Sequence, residues 1–300
     1  MASRDRLGFR TTRGRVELGE RPWLMGVVNA SPDSFSDGGA HGTVEDRVAL
    51  AGKLLSAGAD LIDVGGESGV TNRPSISAQE EIARVVPLIE RVSGELGALV
   101  SIDTYKPAVA RAAIAAGAAI VNDPTGLRDP ATASVCAETG AGLILTHTRA
   151  APKQKLLDPS LDRGIVADVE AFLAERIGLA RTRGVAFEQL MVDPGPDLGK
   201  TPFQTVEVMR ALPRLHSLGR PVLLAVSRKD FIGALTGRSP RGRLAGTLAA
   251  VAHGLDAGAH VLRVHDVAEV SDFLAVRAAL RGEVGVERAL RLSGELRWAQ

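Results

Sequence analysis

One event, repeated along the chain, restricts its fold more than any other feature: an apolar run ends in a polar side chain, and a helical segment follows. Residues 24–28 are the first such run. They are rich in β-branched residues and read as a strand buried on both faces. From Asn29 the chain turns polar, and Pro32 and Gly38-Gly39 mark a loop. The same change recurs at 61–64, at 99–102 closing on Asp103, at 119–121 closing on Asn122, and at 142–145 near His147. It returns at 190–192 closing on Asp193, at 221–226 closing on Ser227-Arg228-Lys229, and at 261–262 before Arg263 and His265. Between these runs, 43–57, 78–95, 107–116, 130–139, 165–183, 204–212, 241–257 (after a short helix) and 267–280 have helical spacing.

Eight such units over about 250 residues predict an α/β chain closed into a (β/α)8 TIM barrel. An open doubly wound sheet would leave chain unexplained. Breaks such as Ala57-Gly58-Ala59 and Ala116-Gly117-Ala118 suit short helix-to-strand turns. A hairpin around Arg13-Gly14 is expected within an N-terminal extension of residues 1–19, ahead of a single barrel domain at 20–282 and a loosely held tail at 283–300.

Composition narrows the function. A formal charge of +1 gives no bulk field for nucleic acid or membrane, and 3% aromatic residues argue against a base-stacking platform. No apolar run approaches the roughly 18 residues that span a bilayer. The lone Cys136 excludes an internal disulfide, and with no secretory leader read in the first residues a reducing cytoplasm is expected.

In a barrel the strand C-termini share one face. There the chain delivers Asn29, Asp63, Asp103, Asn122, His147, Asp193, Lys229, Arg263 and His265. Asp103, Asn122 and Asp193 suit the donor–acceptor edge of a flat heterocycle. Lys229, Arg263 and His265, with Asn29, suit a phosphate group. Asp63 alone also reads as a structural residue of the Gly65-Gly66 turn. Zinc motifs, a nucleophile elbow and a P-loop are missing, and a Mg²⁺ held by substrate phosphate plus one protein oxygen needs no ligand cluster.

The pieces VNASPDSFSDGG (28–39), DVGGES (63–68), SIDT (101–104), VND (121–123), DPG (193–195) with Gly199-Lys200, SRK (227–229) and RVHDV (263–267) resemble the dihydropteroate synthase family. The resemblance spans about residues 20–282. It implies condensation of 4-aminobenzoate with a dihydropterin-methyl diphosphate, releasing diphosphate. By this resemblance Asp103, Asn122, Asp193 and Lys229 hold the pterin, while Asn29, Arg263 and His265 hold the diphosphate with Mg²⁺, Asn29 being the protein ligand. Asp33 is implied to stabilise the pterin-methylene cation, Phe35 and Ser227 to form the aminobenzoate pocket, and two chains to form a homodimer. Lys229, Arg263 and His265 join Asp33 as the implied catalytic set.

The sequence departs from the family pattern in places. Val70 stands where the second loop usually has arginine, and Arg73 lies three positions later. Arg73 either reaches inward to the diphosphate or is a solvated surface charge. Leu198 replaces a usual phenylalanine and Thr146 a usual methionine. Two other readings stand beside a working synthase. One is a pterin-binding paralogue with no synthase activity or a different amine; the other is a folate-dependent methyltransferase of the same superfamily, against which SRK and RVHDV speak.

Overall fold

The computed structural model describes residues 6–31, 42–67, 74–154 and 156–297. The chain opens with an antiparallel hairpin, β1 (Leu7–Thr11) and β2 (Gly14–Leu18). Its turn is Thr12-Arg13, one residue earlier than the sequence predicts. The Thr11 hydroxyl accepts from Arg13 N at 3.2 Å and donates to Gly14 O at 3.1 Å, which fixes the bend there.

Eight strands then form one sheet: β3 (Trp23–Asn29), β4 (Leu61–Gly65), β5 (Leu99–Asp103), β6 (Ile120–Asp123), β7 (Gly142–Thr146), β8 (Leu190–Asp193), β9 (Leu223–Leu224) and β10 (Val261–Val264). Their order is β8-β7-β6-β5-β4-β3-β10-β9, and each neighbouring pair is parallel. A bridge between Val192 and Val222, with Val192 N donating to Pro221 O at 3.0 Å, closes the ring.

Helices α1 (Val44–Ser56), α2 (Ala78–Gly94), α3 (Pro107–Ala115), α4 (Ala131–Thr139), α5 (Ile165–Thr182) and α6 (Pro202–Arg210) each follow one strand. Two helices, α7 (Asp230–Thr236) and α8 (Leu244–Asp256), follow β9, and α9 (Val267–Leu280) follows β10. Their starts are set locally. Thr43 caps α1 and Thr201 caps α6, each in a reciprocal box with the residue three positions on. The sixth helix begins two residues earlier than predicted because Pro202 fits its first turn.

Side-chain alternation along the strands sorts the core into two clusters. Leu24, Ile62, Val100, Val121, Leu143 and Leu262 pack outward against the helices. Met25, Leu61, Ile120, Ile144, Met191 and Val261 pack together inside the barrel, where Phe9 and Leu18 of the hairpin join them. The hairpin therefore closes the lower end of the barrel. Phe9 lies so close to Gly142 that a Cβ there would sit 2.6 Å from its ring. Arg220 holds the hairpin from below, donating to Gly8 O at 2.7 Å and Leu190 O at 2.9 Å.

The same alternation positions the upper end. Asp63, Asn122, Asp193 and Arg263 each lie two residues beyond an interior apolar residue of their own strand: Leu61, Ile120, Met191 and Val261. They share the interior side, one layer nearer the C-terminal mouth. Residues 283–297 run exposed along the outside.

Candidate active site

At the C-terminal mouth lies a cavity of about 650 Å³. Asn29, Asp103, Asn122, Asp193, Lys229, Arg263 and His265 all line it, so strands far apart in sequence converge as the alternation predicts. Ser227 does not line this cavity. Its hydroxyl lies beside His265, accepting from the His265 backbone N–H at 3.2 Å and meeting Nδ1 at 3.1 Å. In the tautomer where Oγ gives its hydrogen to Nδ1, the ring carries its own proton on Nε2 as a donor. Burial, together with the charges of Arg263 and Arg228, pushes the His265 pKa down to about 4, so the ring is neutral at pH 7.

Arg263 is the electrostatic centre of the site. Its Nε donates to Asp63 Oδ2 at 2.6 Å and its Nη2 to Asp103 Oδ2 at 2.9 Å. Asp63 is wholly buried and also accepts from Asn122 Nδ2 at 3.3 Å. Asp63 thus orients an arginine and an amide of the site rather than the Gly65-Gly66 turn. Despite burial, the carboxylates of Asp63 and Asp103 raise the Arg263 pKa, so its charge is fixed. Asp103 moves up to about 7: burial and the nearby carboxylates outweigh Arg263.

Asp193 keeps Oδ1 on the backbone N–H of Gly195 at 2.7 Å. Burial raises its pKa, opposed by that bond and by the charges of Lys229 and Lys200. Lys229 is lowered by burial against the pull of Asp197 and Asp193. Arg228, in the left-handed region at φ 57°, turns away from the cavity and pairs with Asp266, its Nε 3.0 Å from Oδ2.

Two clusters were not evident in the sequence. His147, expected on this face, is buried behind the cavity with Nδ1 2.7 Å from Lys200 Nζ and Nε2 3.1 Å from Asp168 Oδ2. Lys200 lines the cavity; its one signal in the sequence was the Gly199-Lys200 pair. At the rim, Glu67 gathers Lys106 at 2.7 Å, Lys153 at 3.1 Å and the Tyr105 hydroxyl at 3.1 Å. Against its burial, Lys106 and the Ile76 N–H lead the bonds that hold Glu67 below the usual carboxylate range. Glu81 also takes Lys106, at 2.6 Å. Asp33, Phe35, Val70 and Arg73 lie outside the described residues.

Among the described residues no three His, Cys, Asp or Glu side chains come together as a metal cage. Asn29, at the end of β3, lines the cavity with Arg263 and His265. One amide oxygen beside the phosphate-suited Arg263 and neutral His265 fits Mg²⁺, which keeps waters and takes most remaining ligands from substrate phosphate.

Residues 25–265 match the family model described as pterin binding enzyme. The chain belongs to the pterin binding enzyme family. It is 38% identical over 255 residues to the dihydropteroate synthase of Escherichia coli, covering 85% of this chain and 90% of that protein. It is also 38% identical to the dihydropteroate synthase of Bacillus subtilis over 268 residues, 89% of this chain and 91% of that one. Among solved family members, the Xanthomonas albilineans dihydropteroate synthase with 4-aminobenzoic acid superposes with a TM-score of 0.82 at 42% identity, covering 91% of this chain and 98% of that chain. The same enzyme in complex with 7,8-dihydropteroate gives a TM-score of 0.77 at 43% identity, covering 87% and 94%.

Proposed function

We propose that this chain is a dihydropteroate synthase of folate biosynthesis. It condenses 6-hydroxymethyl-7,8-dihydropterin diphosphate with 4-aminobenzoate and releases diphosphate. The observation that carries this reading is one cavity with two chemistries: acceptors at the buried Asp193 and Asn122 and the half-buried Asp103, and donors at Arg263, Lys229 and His265.

Asp193 and Asp103 accept from the N–H edge of the pterin, and the Asn122 amide serves as donor and acceptor beside them. Arg263, held by Asp63 and Asp103, and the Nε2–H of neutral His265 take the diphosphate. When the C–O bond breaks, its electron pair leaves with the diphosphate and a cation remains on the pterin methylene. The aryl amine supplies the electrons of the new C–N bond and then loses a proton. Fixed donors around the diphosphate stabilise the charge that develops there without reorganising. Asp33 is assigned to the methylene cation and Phe35 to the aminobenzoate side, while Ser227, outside the cavity lining, is assigned instead to orienting His265. Magnesium, held by Asn29 and the diphosphate, would supply further charge neutralisation to the leaving group.

The working form is assigned as a homodimer. The apolar residues of α8, Val251 and Leu255 among them, are committed to the chain's own core, whereas Val276 and Leu280 of α9 are 60% and 84% exposed. Those two suit a surface that a second copy covers. A cytoplasmic setting suits the single free Cys136, which is buried and whose thiol pKa burial raises.

Diphosphate release from the pterin substrate, measured with and without 4-aminobenzoate, tests the reading. Release that requires the amine and yields dihydropteroate is expected. Release indifferent to the amine, or pterin binding with no release, would point to a paralogue, for which the Val70 departure is the sequence motive. Light scattering that finds only monomer at micromolar concentration would refute the dimer, and turnover unaffected by chelation would refute magnesium.

A further inference from the structure

Lys200 is a lysine with little solvent around it, 3% exposed, and no carboxylate among its bonded partners. Its Nζ lies 2.7 Å from His147 Nδ1, 2.9 Å from Gly195 O, 3.2 Å from Leu198 O and 3.3 Å from His147 O. Those acceptors belong to two segments, the end of β7 and the turn after β8. The imidazole is itself fixed: Nε2–H donates to Asp168 Oδ2 at 3.1 Å, so Nδ1 presents its lone pair to Lys200. Asp168 is in turn held by Arg149, with Nε at 2.9 Å. A continuous chain of bonds therefore runs from α5 to the cavity wall.

The turn needs such support. Gly195, Asp197 and Gly199 all have left-handed φ, at 63°, 63° and 61°. A Cβ on Gly195 would lie 2.1 Å from His147 O, so the two segments are already in backbone contact. Asp197 is strained there for a non-glycine residue, and strained backbone persists when its surroundings over-determine it. Its carboxylate takes the Thr205 hydroxyl at 3.0 Å and Phe231 N at 3.1 Å, fixing the outer side of the turn. Lys200 fixes the inner side.

We propose that Lys200 is a positioning residue for Asp193. By bracing the Gly195 carbonyl, its Nζ keeps the Gly195 N–H on Asp193 Oδ1 and leaves Oδ2 for the pterin. The inference rests on the cavity being a pterin site, and it adds a residue that acts through Asp193 rather than by touching the reacting atoms.

The test compares the native chain with Lys200→Met, Asp193→Asn and the double variant. The probe is 6-hydroxymethyl-7,8-dihydropterin, titrated by calorimetry, and hydrogen exchange is followed at the Gly195 amide. Lys200→Met is expected to weaken the pterin about 10- to 100-fold. In the Asp193→Asn background the same change is expected to cost little more, because the path through Asp193 is already cut. Gly195 exchange is expected to quicken in Lys200→Met with no ligand present. Full additivity of the two substitutions, or unchanged Gly195 exchange, would overturn the proposal. A native chain that binds no pterin would refute the functional reading, while the exchange comparison would still decide the brace. If Lys200→Met does not fold, Lys200→Gln, a shorter neutral donor, takes the same measurements.

Discussion

Arg263 and Asp63 form an ion pair inside the barrel, Nε to Oδ2 2.6 Å, with the carboxylate wholly buried. The pair sets the direction of the guanidinium, because Nη2 is left to reach Asp103. Removing one partner of a buried pair strands the other charge. Asp63→Ala should therefore cost about 3–5 kcal/mol of stability, read by denaturant unfolding. Asp63→Asn keeps the shape but halves the charge facing Arg263, and its KM for the pterin diphosphate should rise about 10-fold.

Asp193→Asn tests the pterin acceptor directly. The amide keeps the volume of the carboxylate but presents a donor where the ligand also has donors. Pterin affinity should fall by about 1–3 kcal/mol, roughly 5- to 150-fold in calorimetric titration. Unchanged affinity would move the pterin elsewhere.

His147 gives a pH dependence. Burial and the charges of Lys200 and Arg149 push its pKa down to about 2, below the ordinary 6.5. A base depressed in the folded state contributes stability that is present above its unfolded pKa and lost as pH falls toward its folded value. Unfolding free energy of the native chain should therefore decline between pH 6.5 and 2 through this residue. The decline should be shallower in His147→Asn, which does not titrate there.

How far the sequence led can be seen at these residues. The strand ends at Asp103, Asn122, Asp193 and Arg263 were legible because alternation of buried and polar positions is local. What was not legible is pairing across distance. Nothing in 53 residues of separation says that Lys200 meets His147, and nothing marks Asp63 as the partner of Arg263 rather than a turn residue. Ser227 was legible as a strand-end hydroxyl, but its bond to His265 depends on how β9 and β10 lie side by side. The run 221–226 reads as a full strand, yet the ladder is shorter, at Leu223–Leu224. Pro221 has no N–H to give, and it contributes only its carbonyl to the closing bridge.

Phe9→Ala should separate stability from chemistry. The ring is 2% exposed and fills the lower barrel against Gly142. Its loss should cost about 3–5 kcal/mol in unfolding. Turnover of the folded variant at low temperature should match the native chain, since the cavity lies at the opposite end.

Lys153→Ala should loosen the rim. Lys153 Nζ is 3.1 Å from Glu67 Oε1, with both side chains mostly buried, and it links the loop after β7 to the end of β4. Cleavage between residues 149 and 164 by a nonspecific protease should become several-fold faster, because local opening no longer breaks that pair. Unaltered cleavage would show that the pair does not hold the loop.

The hairpin that fills the foot of the barrel has a kinetic consequence. With Phe9 and Leu18 as a stopper and the strand ring closed, the described residues leave the cavity to be entered from the C-terminal mouth. Asp193 and Asn122, the groups assigned to the pterin in the proposed function, are 3% and 5% exposed, whereas Leu157 on the cavity's rim is 47% exposed. A reactant seated on the deep groups must arrive before anything that occupies the doorway, and its product must leave after the doorway clears. On that reading, pterin first and amine second is the order of binding that the depth of these groups sets.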